Sequence, residues 1–175
     1  YPLEDYPFKE GEWSCISQKM NGCRATLYNG EFISRQGKVI TGFDYIKEEM
    51  LQRLSSNFNL NDFVFDGELQ LINDGTRTDN ENYQLGTGII NSDEADKSNF
   101  EFVIFDMIPK VEFDNYNKDN TKFSIRLDCG LKPLRYICTN SISTPSPKSF
   151  RVVDHYYTGT DQSQIKKWLN YADSK

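Results

Sequence analysis

Lys19-Met20-Asn21-Gly22-Cys23-Arg24 puts a primary amine, a glycine and a guanidinium within one short stretch. A lysine held at a strand junction becomes a useful nucleophile when burial or nearby positive charge lowers its pKa toward about 7–8. Gly22 permits a turn or a close backbone approach. Arg24 adds positive charge beside the amine and a fork suited to sugar or phosphate oxygens. Three further pieces follow it. Ser34-Arg35-Gln36-Gly37-Lys38 is basic and sits on a turn, while Phe65-Asp66-Gly67-Glu68-Leu69 sets two carboxylates inside an apolar run. Acids in such a strand cost desolvation energy unless they are paired or bind a cation. Phe102-Val103-Ile104-Phe105-Asp106 ends a buried strand with a ring and an acid. Each piece alone has an ordinary explanation: a solvated lysine, an edge strand, a core phenylalanine with a strand-end cap.

The elements that must position these residues read as mixed α and β. Glu12 to Gln18 alternates as a strand does, and Asn29-Gly30 between Ala25–Tyr28 and Glu31–Ser34 is a strong hairpin signal. From Phe43 to Phe58 the period changes to that of a helix, with Phe43, Ile46, Met50, Leu51, Leu54 and Phe58 on one face. Phe63 to Ile72 reads as a strand, and Phe100 to Ile108 as a central strand buried on both faces. Asn73 to Asn99 and Lys110 to Lys122 read as long polar loops. Gly130 and Pro133 weaken a helix over Ser124 to Ile137. Thr144-Pro145-Ser146-Pro147 reads as a linker, followed by a strand from Phe150 to Tyr157. A last helix, capped by Thr160 or Asp161, carries Ile165, Trp168, Leu169 and Ala172 on one face. The expected class is α+β with mostly antiparallel sheets and flanking helices.

At 175 residues the chain is one domain's worth of protein, and its 14% aromatic content excludes wholesale disorder. No stretch approaches the roughly 18 consecutive apolar residues that a membrane helix requires. A formal net charge of -6 argues against a protein that grips nucleic acid over its whole surface, but leaves room for a local basic groove. The acidic runs Asn91–Lys97 and Asp114–Asp119 read as solvated loops. Four cysteines without a CxxC, and a single histidine, His155, leave little material for a zinc site or histidine chemistry. The cysteines read as reduced thiols of a cytoplasmic protein.

In order and spacing, the four chemical pieces resemble the nucleotidyltransferase motifs of ATP-dependent DNA ligases of the small phage-like type. KMNGCR is similar to the lysine motif, SRQGK to the arginine motif, FDGEL to the acidic motif, and FVIFD to the segment that supplies an aromatic platform for adenine. YQLGTGII, from Tyr83 to Ile90, is similar to a loop that follows the acidic strand in small ligases. The resemblance spans about Glu12 to Ile108. It implies an α+β nucleotidyltransferase (ATP-grasp-like) domain in which Lys19 attacks the α-phosphate of ATP to form a lysyl-AMP. The AMP then passes to the 5′-phosphate of a nick in double-stranded DNA. By the same resemblance Arg24, Glu68 and Phe105 bind the nucleotide, with Phe105 stacked on adenine. Arg35 holds the DNA phosphate, and Glu68 contacts ribose or Mg²⁺. RNA ligases, capping guanylyltransferases and a non-catalytic nucleotide-binding module are the alternatives.

Three departures from the family pattern stand out. Asn21 replaces the usual Asp of the lysine motif, and Ser17 stands where phage relatives carry an acid that reads adenine. The later Glu-Gly and Lys-x-Lys motifs and an OB-fold domain are not found in this chain. The expectation is therefore a single, partial adenylation domain over residues 1–175, monomeric, and unable to seal nicks by itself.

Overall fold

The computed structural model describes residues 9–117, 120–139 and 146–173, without the side chains of 169, 172 and 173. The chain divides into two compact units. One is Met20–Val152; the other joins the residues up to Lys19 with those from Val153 onward.

The larger unit is built on a six-stranded sheet. Its strands are β2 (Cys23–Tyr28), β3 (Glu31–Ser34), β4 (Val39–Ile40), β5 (Phe63–Leu71), β6 (Phe100–Pro109) and β7 (Phe150–Val152). They lie in the order β4-β3-β2-β5-β6-β7, antiparallel throughout except for the parallel β6–β7 pair. Asn29 and Gly30 both take positive φ, 50° and 77°, which is the backbone a two-residue hairpin with natural twist requires. One sheet face is core: Ala25, Leu27, Phe65, Leu69, Phe102 and Ile104 are all buried. Helix α1 (Asp44–Leu54) packs Ile46, Met50 and Leu54 inward, with Phe43 buried just before it. Phe43 meets Phe32 and Phe100 edge to face, a favoured arrangement of aromatic rings. Leu51, expected on that buried face, is exposed instead; the inward stripe runs 46, 50, 54 and leaves 51 outside it.

The stretch expected as a long polar loop contains a helix, α2 (Asp79–Ile90). Thr78 caps it, its hydroxyl accepting from the Glu81 N–H while the Glu81 carboxylate accepts from the Thr78 N–H, a reciprocal capping box. Gly86 is buried where α2 lies close on β5: a Cβ there would sit 3.1 Å from that of Leu71. Asn82 fastens the same contact by donating to the Leu71 carbonyl at 2.7 Å. Within the expected loop from Lys110, α3 (Lys110–Asp114) forms one short turn of helix. Despite Gly130 and Pro133 the next segment is helical: α4 (Phe123–Arg126), a π-type stretch over Leu127–Leu131, then α5 (Lys132–Thr139). The helix widens directly before Pro133, whose missing N–H cannot bond four residues back.

In the smaller unit β1 (Ser14–Ser17) pairs antiparallel with β8 (His155–Gly159), and α6 (Ser163–Asp173) follows. The strand expected over Phe150–Tyr157 is thus two strands, broken at Val153-Asp154, where the chain passes between units. Asp161 accepts from the Ser163 N–H at 2.9 Å at the start of α6, and Ile165 is buried. The expected partners Leu169 and Ala172 lie outside the described side chains, and Thr144-Pro145 outside the described residues. Among the described residues no helix is long and apolar enough to cross a membrane.

Candidate nucleotide and phosphate site

The face of the six-stranded sheet opposite the core is polar. Arg24, Glu68, Val103 and Arg151 are successive cross-strand partners over β2, β5, β6 and β7, so their side chains share this face. The β5–β6 register shifts between Asp66 and Gly67: Asp66 pairs with Asp106 and Gly67 with Ile104, which leaves Phe105 as the extra residue of a bulge. A bulge re-aims a side chain, and here the Phe105 ring lies under the Arg24 guanidinium, 5.4 Å from ring centre to Cζ.

Arg24 grips Asp66 with two hydrogen bonds, Nε to Oδ1 at 2.6 Å and a second, shorter one to Oδ2. The Asp66 hydrogen bond, outweighing partial burial, raises the Arg24 pKa further. Glu68 reaches across to the lysine motif: its Oε1 accepts from the Gly22 N–H at 2.5 Å. Gly22 serves this approach, since a Cβ there would meet the Leu69 carbonyl oxygen at 2.4 Å and the Glu68 Cγ at 3.0 Å. The close approach that the motif glycine permits is therefore to strand β5.

Gly22, Arg24 and Glu68 line a cavity of about 900 Å³ together with Arg35 and Lys38 from the β3–β4 turn. Thr87 of α2, Asn91 at its C-terminal cap, and Lys97 beyond it line the walls as well. Arg35 is exposed and has no hydrogen-bond or ion-pair partner among the described residues. The structure thus brings Arg24, Arg35 and Glu68 to one cavity and sets Phe105 against Arg24. Lys19 is exposed, ends the N-terminal stretch of the smaller unit, and is joined to Gly22 through Met20 and Asn21. Among the described residues no three Asp, Glu, Cys or His side chains cluster to hold a metal.

Two contributors escaped the sequence reading. Asp66 was visible as an acid in an apolar strand, but its partner lies 42 residues away and follows only from the register. Lys97 closes an acidic run that reads as solvated, yet it is buried, with 8% of its surface exposed.

No protein family defined by sequence matches the chain, and no curated protein matches it by sequence. Solved structures do. A structure named Pmar-Lig_PreS3 superposes with a TM-score of 0.66 at 22% identity, over 94% of this chain and 35% of its own. A Lig E DNA ligase, studied for DNA binding with a minimal scaffold, gives 0.59 at 20% identity, over 99% and 54%. The ATP-dependent DNA ligase of bacteriophage T7 in complex with ATP gives 0.56 at 14% identity, over 89% and 52%. The fold is that of a DNA ligase nucleotidyltransferase domain: α+β, dominated by antiparallel sheets. The chain spans about a third to a half of the length of these proteins.

Proposed function

We propose that the chain is the adenylation domain of an ATP-dependent DNA ligase. The observation that carries this reading is convergence. Gly22 and Arg24, Arg35, and Glu68 come from three separate motif pieces and meet at one cavity. In the first step the deprotonated Lys19 amine attacks the α-phosphorus of ATP. A P–N bond forms, the α–β P–O bond breaks, and pyrophosphate leaves. The 5′-phosphate of a DNA nick then attacks the same phosphorus, breaks the P–N bond and takes the AMP. Finally the 3′-hydroxyl attacks the 5′-phosphorus, and AMP leaves as the strands join. Arg24, steadied by Asp66 and Phe105, presents donors to ribose or phosphate; Arg35 offers its fork to the DNA phosphate. On this reading Mg²⁺ would come in with ATP, and Glu68 would contact the ribose or the ion.

The test is labelling with ATP carrying ³²P at the α-position, followed by mass spectrometry. One AMP is expected on Lys19, lost in Lys19→Ala and retained in Lys38→Ala. AMP on another lysine, or undiminished labelling of Lys19→Ala, refutes the assignment. Labelling by GTP in place of ATP points to a capping-type enzyme. Arg35→Ala should form lysyl-AMP yet transfer it poorly to a nicked duplex.

A further inference from the structure

Lys97 is the least exposed cation on the cavity wall. Lysine is almost never buried without a partner of opposite charge, but no carboxylate pairs with Lys97 among the described residues. Its Nζ donates to a neutral acceptor, the Thr41 carbonyl, at 3.1 Å. It also stands 5.8 Å from the centre of the Phe43 ring. The path of its stem is built for it. Gly42 takes φ +93°, and a Cβ there would lie 2.7 Å from the Lys97 Cδ, so only glycine leaves the lysine room. On the other side Tyr45 donates its hydroxyl to the Lys97 carbonyl at 3.0 Å, fixing the backbone from which the side chain springs.

The charge around it points to an anion. Arg24, Arg35, Lys38 and Lys97 line the cavity against two acids, Glu68 and Asp93. Arg24 is engaged by Asp66, and Glu68 by the Gly22 N–H. That leaves Arg35, Lys38 and Lys97 facing the single acid Asp93, in a chain whose overall charge is -6.

We propose that Lys97, with Lys38, is a second phosphate seat of this cavity, which holds the DNA phosphodiester next to the 5′-phosphate taken by Arg35. The proposal rests on the ligase reading for its choice of DNA. A phosphate there would give a counter-ion to a lysine that has no carboxylate partner among the described residues.

Fluorescence anisotropy with a nicked, 5′-phosphorylated duplex between about 20 and 200 mM salt tests this. Lys97→Met keeps the apolar stem and removes the charge. It should flatten the slope of log K against log salt by about 0.9, the loss of one phosphate contact. Affinity should fall alike for unrelated duplex sequences, and Lys97→Arg should keep most of the slope. An unchanged slope in a Lys97→Met protein that melts as a folded domain overturns the proposal. If Lys97→Met does not fold, ¹⁵N-lysine Nζ spectra of the unaltered protein decide. The Lys97 signal must respond to the duplex and not to ATP alone; silence, or a response to ATP alone, refutes the seat. Labelling of Lys19 with ATP is read separately. Its absence, beside a Lys97-dependent salt slope, overturns the ligase reading and leaves the phosphate seat standing.

Discussion

Replacing Gly22 by alanine probes the junction between the lysine motif and the acidic motif. The added Cβ would lie 2.4 Å from the Leu69 carbonyl oxygen, where an ordinary carbon–oxygen contact is about 3.3 Å. The segment must therefore retreat from β5 by roughly 0.9 Å, and backbone cannot rotate away as a side-chain end can. Overpacking of this kind costs about 1–3 kcal/mol. The retreat also stretches the Gly22 N–H bond to Glu68, and a hydrogen bond to a charged group contributes about 1.5–3 kcal/mol. The expected loss is about 3–5 kcal/mol. For a chain of this size that lowers the melting temperature by roughly 6–20 °C, at about 2–4 °C per kcal/mol. Gly88→Ala is the control. Nothing lies within 4 Å of a Cβ there, and removing a helical glycine should stabilise α2 by about 0.5–1 kcal/mol. Circular dichroism melts of the two variants give the comparison. A Gly22→Ala protein that melts within a degree or two of the unaltered chain refutes the packing argument, and with it the idea that Glu68 steadies the lysine motif.

Phe105→Ala should weaken ATP binding by about 1–3 kcal/mol if the ring carries the adenine, and Phe105→Tyr should be nearly harmless; calorimetry reads both, and unfolding of both variants would leave the ring only a packing role. Glu49 fastens α1 to the start of β7 by accepting from Lys148 N–H, Ser149 N–H and the Ser149 hydroxyl. Burial opposes its charge, but those hydrogen bonds outweigh it and hold the pKa below its ordinary 4.5. Its contribution is therefore full above about 4.5 and lost as pH falls through the lowered folded value. The melting difference between the unaltered chain and Glu49→Gln, about 1–2 kcal/mol at pH 7, should close in acid. Burial pushes the Cys138 thiol up to about 11, so at pH 8 only about a thousandth is thiolate; iodoacetamide should label exposed Cys129 first, and comparable early labelling of Cys138 would contradict its burial.

What could be read from the sequence was what local chemistry dictates. Asn29-Gly30 names its own turn, the stripe of Ile46, Met50 and Leu54 names a helix, and the apolar run of β6 names a central strand. Helix α2 lies inside a stretch that reads as a polar loop, although Thr78 and Glu81 stand at the spacing of a capping box. Gly86 is there because α2 lies close on Leu71, a tertiary fact with no local trace. The site shows the same division. Arg24, Arg35 and Glu68 stood out by residue type, but the Arg24–Asp66 pair depends on strand register. Lys97 depends on Gly42 admitting its stem from a segment 55 residues away.

Three acids of β5 and β6 look at first like metal ligands, yet each has an arginine from another element: Asp66 has Arg24, Asp106 has Arg126, and Glu101 has Arg151. Exposure separates their roles. The Arg126 and Asp106 side chains are 17% and 14% exposed, and Arg126 also donates to the Thr121 carbonyl. Breaking that pair would strand a largely buried charge at about 3–5 kcal/mol, so it holds the sheet to α4. Arg24 is different, with half of its side chain exposed while Asp66 is 19% exposed. It can keep one side on Asp66 and the Phe105 ring and still turn donors toward an incoming oxyanion. Asp66 thus orients Arg24 without exhausting a guanidinium that has five N–H donors. The positive charge left for phosphate then lies with Arg35, Lys38 and Lys97 on one cavity. Because three acids of β5 and β6 are each held by an arginine, a net charge of -6 is compatible with a locally positive cavity.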